Sequence, residues 1–187
     1  MNRRTFVVVL PTALTLARLC AVPVTIWLIL DGSLAAAFWI FVAAGVTDAL
    51  DGALARWCDA RTVIGGYLDP IADKALLVSV YIALGAIGLL PIWLAILVVF
   101  RDVLIVGGVM LSHTLGLAVT MAPLAISRLN TVAQIVLAGS ALGMTGLEVA
   151  VPGLLSMMVA MVAVTTAISG AAYAVSWVRR LAGMEPS

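Results

Sequence analysis

The chain has 187 residues, of which 64% are apolar and 10% charged, with a mean hydropathy of +1.23. A soluble domain is near half apolar and a quarter charged, so this surplus could not be buried by a soluble fold of this size, and a water-soluble globular protein is excluded. Ten Lys+Arg against nine Asp+Glu leave a net charge of +1, which gives no case for nucleic-acid binding. Cys20 sits in an apolar run and Cys58 in a charged loop, so both read as unpaired thiols rather than a disulfide framework. The length suits a single domain, 1–187. The composition predicts an all-α, polytopic membrane protein.

In chain order, Arg3 and Arg4 precede a short apolar run. No small-residue cleavage site comes before Pro11, so the first ten residues read as a short interfacial helix leading into the first span rather than as a signal sequence. Six transmembrane helices are predicted, at 12–30, 34–57, 66–87, 91–112, 127–146 and 153–178, since about 20 residues cross the hydrocarbon core. Turn residues mark the breaks: Asp31-Gly32-Ser33, Ala60-Arg61 to Gly65-Gly66, Gly88 to Pro91, and Val151-Pro152-Gly153. Arg3, Arg4, Arg56, Arg61, Arg128, Arg179 and Arg180 all fall on one side of that topology. The positive-inside rule therefore places both termini and the 57–65 and 113–127 loops in the cytoplasm of a cell whose cytoplasmic membrane holds the protein. Trp27, Trp39 and Trp93 then mark the outer interface, and Trp57 and Trp177 the inner one, as an aromatic belt.

Charges inside the spans carry the chemistry. Arg18, Asp48, Asp51, Asp69, Asp73, Lys74, Arg101 and Asp102 all fall there. Each costs up to about 3 kcal/mol at the bilayer centre on insertion scales, so they must be paired, hydrated or metal-bound. Arg18, Asp48, Asp69 and Asp73 lie toward the inner ends of their spans and can converge on a polar cavity open to the cytoplasm, with Arg101 and Asp102 deeper as its floor. Structural pairing suits Arg101 with Asp102. It suits four Asp poorly, because like charges close together need a cation or protons.

Asp48 and Asp51 are spaced i, i+3, and Asp69 and Asp73 i, i+4, so each pair shares a helix face. Two helices joined by a short loop are antiparallel neighbours, and four hard oxygen ligands at their inner ends suit Mg²⁺ or Mn²⁺ in a two-metal site. His113 is the single histidine, and no Cys/His set is present for zinc. Gly52 and Ala55 form a small-residue notch that serves either helix packing or a flat ligand. Arg56 can hold a phosphate by its guanidinium fork. Metals beside an arginine point to phosphate transfer on a diphosphate-type substrate.

Asp48, Asp51, Gly52, Ala55, Arg56, Gly65, Asp69 and Asp73 match all eight fixed positions of D-x2-D-G-x2-A-R-x8-G-x3-D-x3-D. In this the chain resembles the CDP-alcohol phosphotransferase family. The resemblance implies transfer of a phosphatidyl group from a CDP-linked lipid, usually CDP-diacylglycerol, to an alcohol with release of CMP. It implies metal ligation by Asp48, Asp51 and Asp69, with Asp73 contributing to the second metal and acting as base for the acceptor hydroxyl. Gly52, Ala55, Arg56 and Gly65 would line the cytidine and diphosphate site. Pro11-Thr-Ala-Leu-Thr15-Leu-Ala-Arg18 is similar to the family's Pro-Asn-x-Leu-Thr-x-x-Arg segment, with Thr12 where Asn is usual, so Thr15 joins the nucleotide set. A homodimer is also implied by the resemblance.

The acceptor alcohol is set by later segments. Asp69-Pro-Ile-Ala-Asp73-Lys74 resembles the glycerol-acceptor branches, which make phosphatidylglycerophosphate or cardiolipin. Arg101-Asp102 and Ser127-Arg128-Leu-Asn130-Thr131-Val-Ala-Gln134 are nearer the cardiolipin branch, where Asn130 stands in place of a lysine. The predicted acceptor is phosphatidylglycerol, with Arg18, Arg101, Arg128 and Asn130 around it and glycerol 3-phosphate as the alternative. Arg101 either holds the acceptor's phosphodiester or pairs with Asp102. A membrane prenyltransferase would want a carboxylate where Ala55 stands. A small ion or proton transporter would explain buried Asp and Arg, but not Gly52, Ala55, Arg56 and Gly65 at those positions.

Overall fold

In a computed structural model of the chain, the described residues are 3–58, 63–114, 125–149 and 151–181, with side chains over 16–48, 74–108, 126–149 and 151–178. Six helices follow one another: α1 Arg3–Leu30, α2 Leu34–Cys58, α3 Val63–Ala86, α4 Ile92–Thr114, α5 Ala125–Gly146 and α6 Leu154–Leu181. There is no strand among the described residues. Five of the six match their predicted spans to within three residues at either end.

The start of the chain differs from expectation. No separate interfacial helix precedes the first span, because Arg3 to Leu30 is one continuous helix of 28 residues. Pro11 removes one amide donor, but no glycine or turn dipeptide accompanies it. A lone proline is tolerated where the rest of the helix continues. Pro23 in α1 and Pro70 in α3 lie within helices in the same way.

Three helices end alike. Beyond α1, Ser33 N donates to Leu28 O at 2.9 Å, with Gly32 at φ +83°. Beyond α3, Leu89 N donates to Leu84 O at 3.0 Å, with Gly88 at φ +76°. Both are Schellman caps, in which a residue in the left-handed region lets the chain reverse and satisfies orphan carbonyls. The α5 cap has the same pattern, Val149 N to Met144 O at 2.8 Å, but a glutamate, Glu148, takes the left-handed position at φ 55°. Nothing in the local sequence signals that choice.

The chain forms two compact units, Met1–Leu89 with Ala138–Val151, and Leu90–Leu137 with Pro152–Ser187. In the first, α1 packs against both α2 and α3. Its buried stripe is Arg18, Thr25 and Ile29, facing Ala37, Phe41 and Ala44 of α2 and Leu76, Val80, Tyr81 and Leu84 of α3. The end of α5 approaches α2 so closely that a Cβ on Gly146 would lie 2.6 Å from the Leu34 carbonyl carbon. In the second unit α4 packs against α6. Leu94 and Val98 on α4 and Met158 and Val162 on α6 are buried at helical spacing, and each stripe then turns polar.

Arg18, Thr25, Arg101, Asp102, Asn130, Gln134, Thr166 and Ser169 are all buried, while Trp27, Trp39, Ile96, Phe100, Val103, Leu129 and Met157 are more than half exposed. Apolar exposure on this scale is not that of a soluble monomeric domain. Among the described residues, Leu154–Val178 is long and apolar enough by itself to cross a membrane, and Leu16–Leu30, Leu34–Asp48 and Lys74–Ala86 are shorter apolar stretches.

Candidate active site

The first unit carries the acidic motif. Asp48, Asp51, Gly52, Ala55 and Arg56 lie on α2, Gly65, Asp69 and Asp73 on α3, and Thr15 on α1. Of these, Asp48 alone has a described side chain. Those of Asp51, Ala55, Arg56, Asp69, Asp73 and Thr15 lie outside the described residues, as does the four-carboxylate cluster they were expected to form. Helical geometry places Asp48 with Asp51, and Asp69 with Asp73, on common faces.

Asp48 is held from α1. Arg18 Nη1 lies 2.9 Å from Asp48 Oδ1. The arginine side chain is 3% exposed and the carboxylate 45% exposed, so the pair is anchored at its cationic end and open at its anionic end. One residue earlier, Thr47 Oγ1 donates back to Ala43 O at 2.9 Å, which commits its hydroxyl to the helix itself. A half-exposed carboxylate is a suitable ligand for a hard divalent cation. The acidic positions of the motif on α2 and α3 are four carboxylates, the oxygen chemistry of hard divalent cations.

The second unit holds a ladder of polar groups. Arg101, 3% exposed, spans it. Its Nη1 donates to Asp102 Oδ1 at 2.7 Å. Its Nε and Nη2 donate to Ser169 Oγ on α6 at 3.2 and 2.8 Å. Nη2 also donates to Ser127 Oγ on α5. One turn along α5, Asn130 Oδ1 accepts from Thr165 Oγ1 at 2.8 Å and from Thr166 Oγ1 at 2.9 Å. Gln134 Nε2 in turn donates to Thr166 Oγ1 at 3.4 Å. Toward the end of α6, Trp177 Nε1 donates to Gly108 O at 3.2 Å, tying α6 to α4.

The four residues assigned to the acceptor from sequence therefore separate into kinds. Arg18 is buried against Asp48, Arg101 and Asn130 are buried in the ladder, and Arg128 is exposed on α5. Sequence reading missed Ser169, Thr165 and Thr166, which hold Arg101 and Asn130 from α6. Their signal was a set of hydroxyls at helical spacing on an apolar span, which reads equally well as packing.

A family model described as CDP-alcohol phosphatidyltransferase matches residues 8–169. The chain belongs to the CDP-alcohol phosphatidyltransferase family. Cardiolipin synthase (CMP-forming) of Rattus norvegicus is 32% identical over 180 residues, covering 88% of this chain and 60% of that protein. The chloroplastic CDP-diacylglycerol–glycerol-3-phosphate 3-phosphatidyltransferase 1 of Oryza sativa subsp. japonica is 36% identical over 150 residues, 71% of this chain and 46% of the relative. A probable phosphatidylglycerophosphate synthase of Mycobacterium tuberculosis is 39% identical over 99 residues, 50% of this chain and 47% of the relative. The chain thus spans between 46 and 60% of the length of these relatives. Both glycerol branches of the CDP-alcohol phosphatidyltransferases are represented among them, as the later motifs predict.

Proposed function

We propose that the chain is a membrane-embedded phosphatidyltransferase acting as one domain, with CDP-diacylglycerol as donor and phosphatidylglycerol as acceptor, forming cardiolipin and releasing CMP. The observation that carries this reading is the complete eight-position motif on α2 and α3, with Asp48 fixed by Arg18 and still half exposed. Relatives named cardiolipin synthase match over most of the chain, which supports the acceptor choice.

In this reading Asp48, Asp51, Asp69 and Asp73 hold two divalent cations, Mg²⁺ or Mn²⁺. Bound there, the cations would neutralise the diphosphate and stabilise the charge that develops on it. Arg56 and Thr15 contact the diphosphate and nucleotide, and Gly52, Ala55 and Gly65 leave room for the cytidine. Asp73 accepts the proton of the acceptor hydroxyl. The hydroxyl oxygen forms a bond to the phosphatidyl phosphorus, and the bond from that phosphorus to the oxygen of CMP breaks. The exposed Arg128 takes the acceptor's phosphodiester, and Arg101 fixes the frame beside it.

The helices are 22 to 28 residues long, or about 33 to 42 Å at the helical rise, and they present apolar faces outward. That supports six membrane spans; the placement of the arginines, by the positive-inside rule, supports termini and site on the cytoplasmic side of the cytoplasmic membrane, and the family resemblance supports a homodimer. The reading is tested with purified protein, CDP-diacylglycerol and Mn²⁺, offering phosphatidylglycerol or glycerol 3-phosphate. Cardiolipin with stoichiometric CMP is expected. Phosphatidylglycerophosphate alone would reassign the acceptor to the second reading, which the rice and mycobacterial relatives favour. No CMP release with either alcohol would refute both.

A further inference from the structure

Asn130 is completely buried, yet only half of its amide is used. Its Oδ1 accepts from two hydroxyls, Thr165 and Thr166, at 2.8 and 2.9 Å. Its Nδ2 is buried and has no hydrogen-bond partner among the described residues. An amide side chain is nearly symmetric in shape, so its neighbours decide which way it faces. Here Thr166 sets the direction. Gln134 Nε2 donates to Thr166 Oγ1 at 3.4 Å, which occupies an acceptor position of that hydroxyl and leaves its hydrogen for Asn130. Thr165 Oγ1 lies 2.8 Å from the same oxygen and shares its one hydrogen with Met161 O and Val162 O, at 3.0 and 3.1 Å. The two N–H groups of Asn130 are thereby turned away from α6. Buried donors without partners are rare in native proteins, because leaving one unmade costs its full desolvation.

The surroundings say what such a donor would meet. Ser127, one turn earlier on the same face of α5, receives Arg101, whose guanidinium is also fixed by Ser169, one turn beyond Thr166 on α6. The free amide donors therefore stand a helical turn from a guanidinium. A neutral N–H pair beside a cation recognises an oxygen-rich ligand of low charge, such as a hydroxyl or phosphodiester oxygen, and gives nothing to a cation.

We propose that Thr165 and Thr166 are positioning residues that lock the Asn130 amide so that Nδ2 donates to an oxygen of the alcohol acceptor. This rests on the phosphatidyltransferase reading above and adds α6 to the elements that select the acceptor. The test compares wild type with T165V/T166V, T165S/T166S and N130D in the full chain. Two measurements are made on each: initial rates of CMP release with either substrate varied, and calorimetric titration of dihexanoyl phosphatidylglycerol into the protein. Valine keeps the shape of threonine and removes its hydroxyl, and aspartate keeps the shape of asparagine and removes its donors. The valine pair and N130D should each raise the acceptor KM and Kd about ten-fold, the value of one hydrogen bond. The KM for CDP-diacylglycerol should stay within about two-fold, and the serine pair should restore the acceptor values. Unchanged acceptor KM and Kd in both the valine pair and N130D would overturn the proposal, as would parallel rises in both substrates' KM. If the valine pair does not fold, N130D decides by the same criteria. If wild type releases no CMP but binds phosphatidylglycerol with an affinity the variants lose, the catalytic reading fails and this one stands.

Discussion

Two buried arginines, each paired with a carboxylate, divide the molecule. Arg18 and Arg101 have side chains equally shielded, at 3% exposure each, but Asp48 is 45% exposed and Asp102 only 9%. A sealed pair serves architecture: its charges were desolvated on folding and are retained by fixed hydrogen bonds, which Arg101 has from Ser127 and Ser169 as well. A pair open at the carboxylate leaves an oxygen for other work. In the proposed reading that difference separates a carboxylate available to a cation from one that holds a frame, where sequence shows only an arginine and an aspartate in each case.

The sharpest way to break this contrast is to remove metal. Chelation by EDTA should abolish CMP release, and added Mn²⁺ should restore it, if the motif carboxylates hold the divalent cations of the proposed reading. Activity that persists after thorough chelation would show that Asp48 is only another structural partner. Within the same motif, Asp73→Asn should lower kcat by about 10²- to 10⁴-fold, the value of a general base, and leave nucleotide binding nearly intact. Near-normal turnover in that variant would remove Asp73 from the base position.

Stability should rank the two pairs in the reverse order from activity. Asp102→Ala leaves Arg101 charged and buried, with a cost of about 3–5 kcal/mol in thermal or denaturant unfolding. Arg18→Ala leaves a carboxylate that solvent already reaches, so it should cost clearly less stability and far more activity. Equal stability losses in the two variants would erase the distinction drawn from exposure.

Much of this frame was legible in the sequence, for definite reasons. The spans showed as apolar runs, and Gly32 and Gly88 marked their ends because the caps there need a left-handed residue. The cap at Glu148 was not legible, since a glutamate carries no preference for that conformation. The continuity of α1 through Pro11 was also missed, because proline weighs heavily in a sequence reading and only one hydrogen bond in a long helix. For the site, fixed spacing along α2 and α3 made the motif visible. The grip of Arg18 on Asp48 and of Ser169 on Arg101 depends on which helices pack together, and no spacing within one helix encodes that.

Arg128 offers the finest test, because it belongs to neither kind of pair. It is exposed, one residue after Ser127, which is engaged with Arg101. An exposed guanidinium can meet an incoming phosphodiester without breaking an existing ion pair, whereas Arg101 would have to give up Asp102, Ser127 or Ser169 to do so. Arg128→Ala should therefore raise the acceptor KM about ten-fold, the scale of one charge-assisted hydrogen bond that water partly replaces, with little change in the KM for CDP-diacylglycerol or in stability. Arg128→Lys should recover part of the loss, since it keeps the charge and gives up the fork. If Arg128→Ala leaves the acceptor KM unchanged while Arg101→Lys raises it in a protein that unfolds normally, the acceptor's phosphate belongs to the sealed arginine. Exposure would then no longer distinguish the roles of the two arginines.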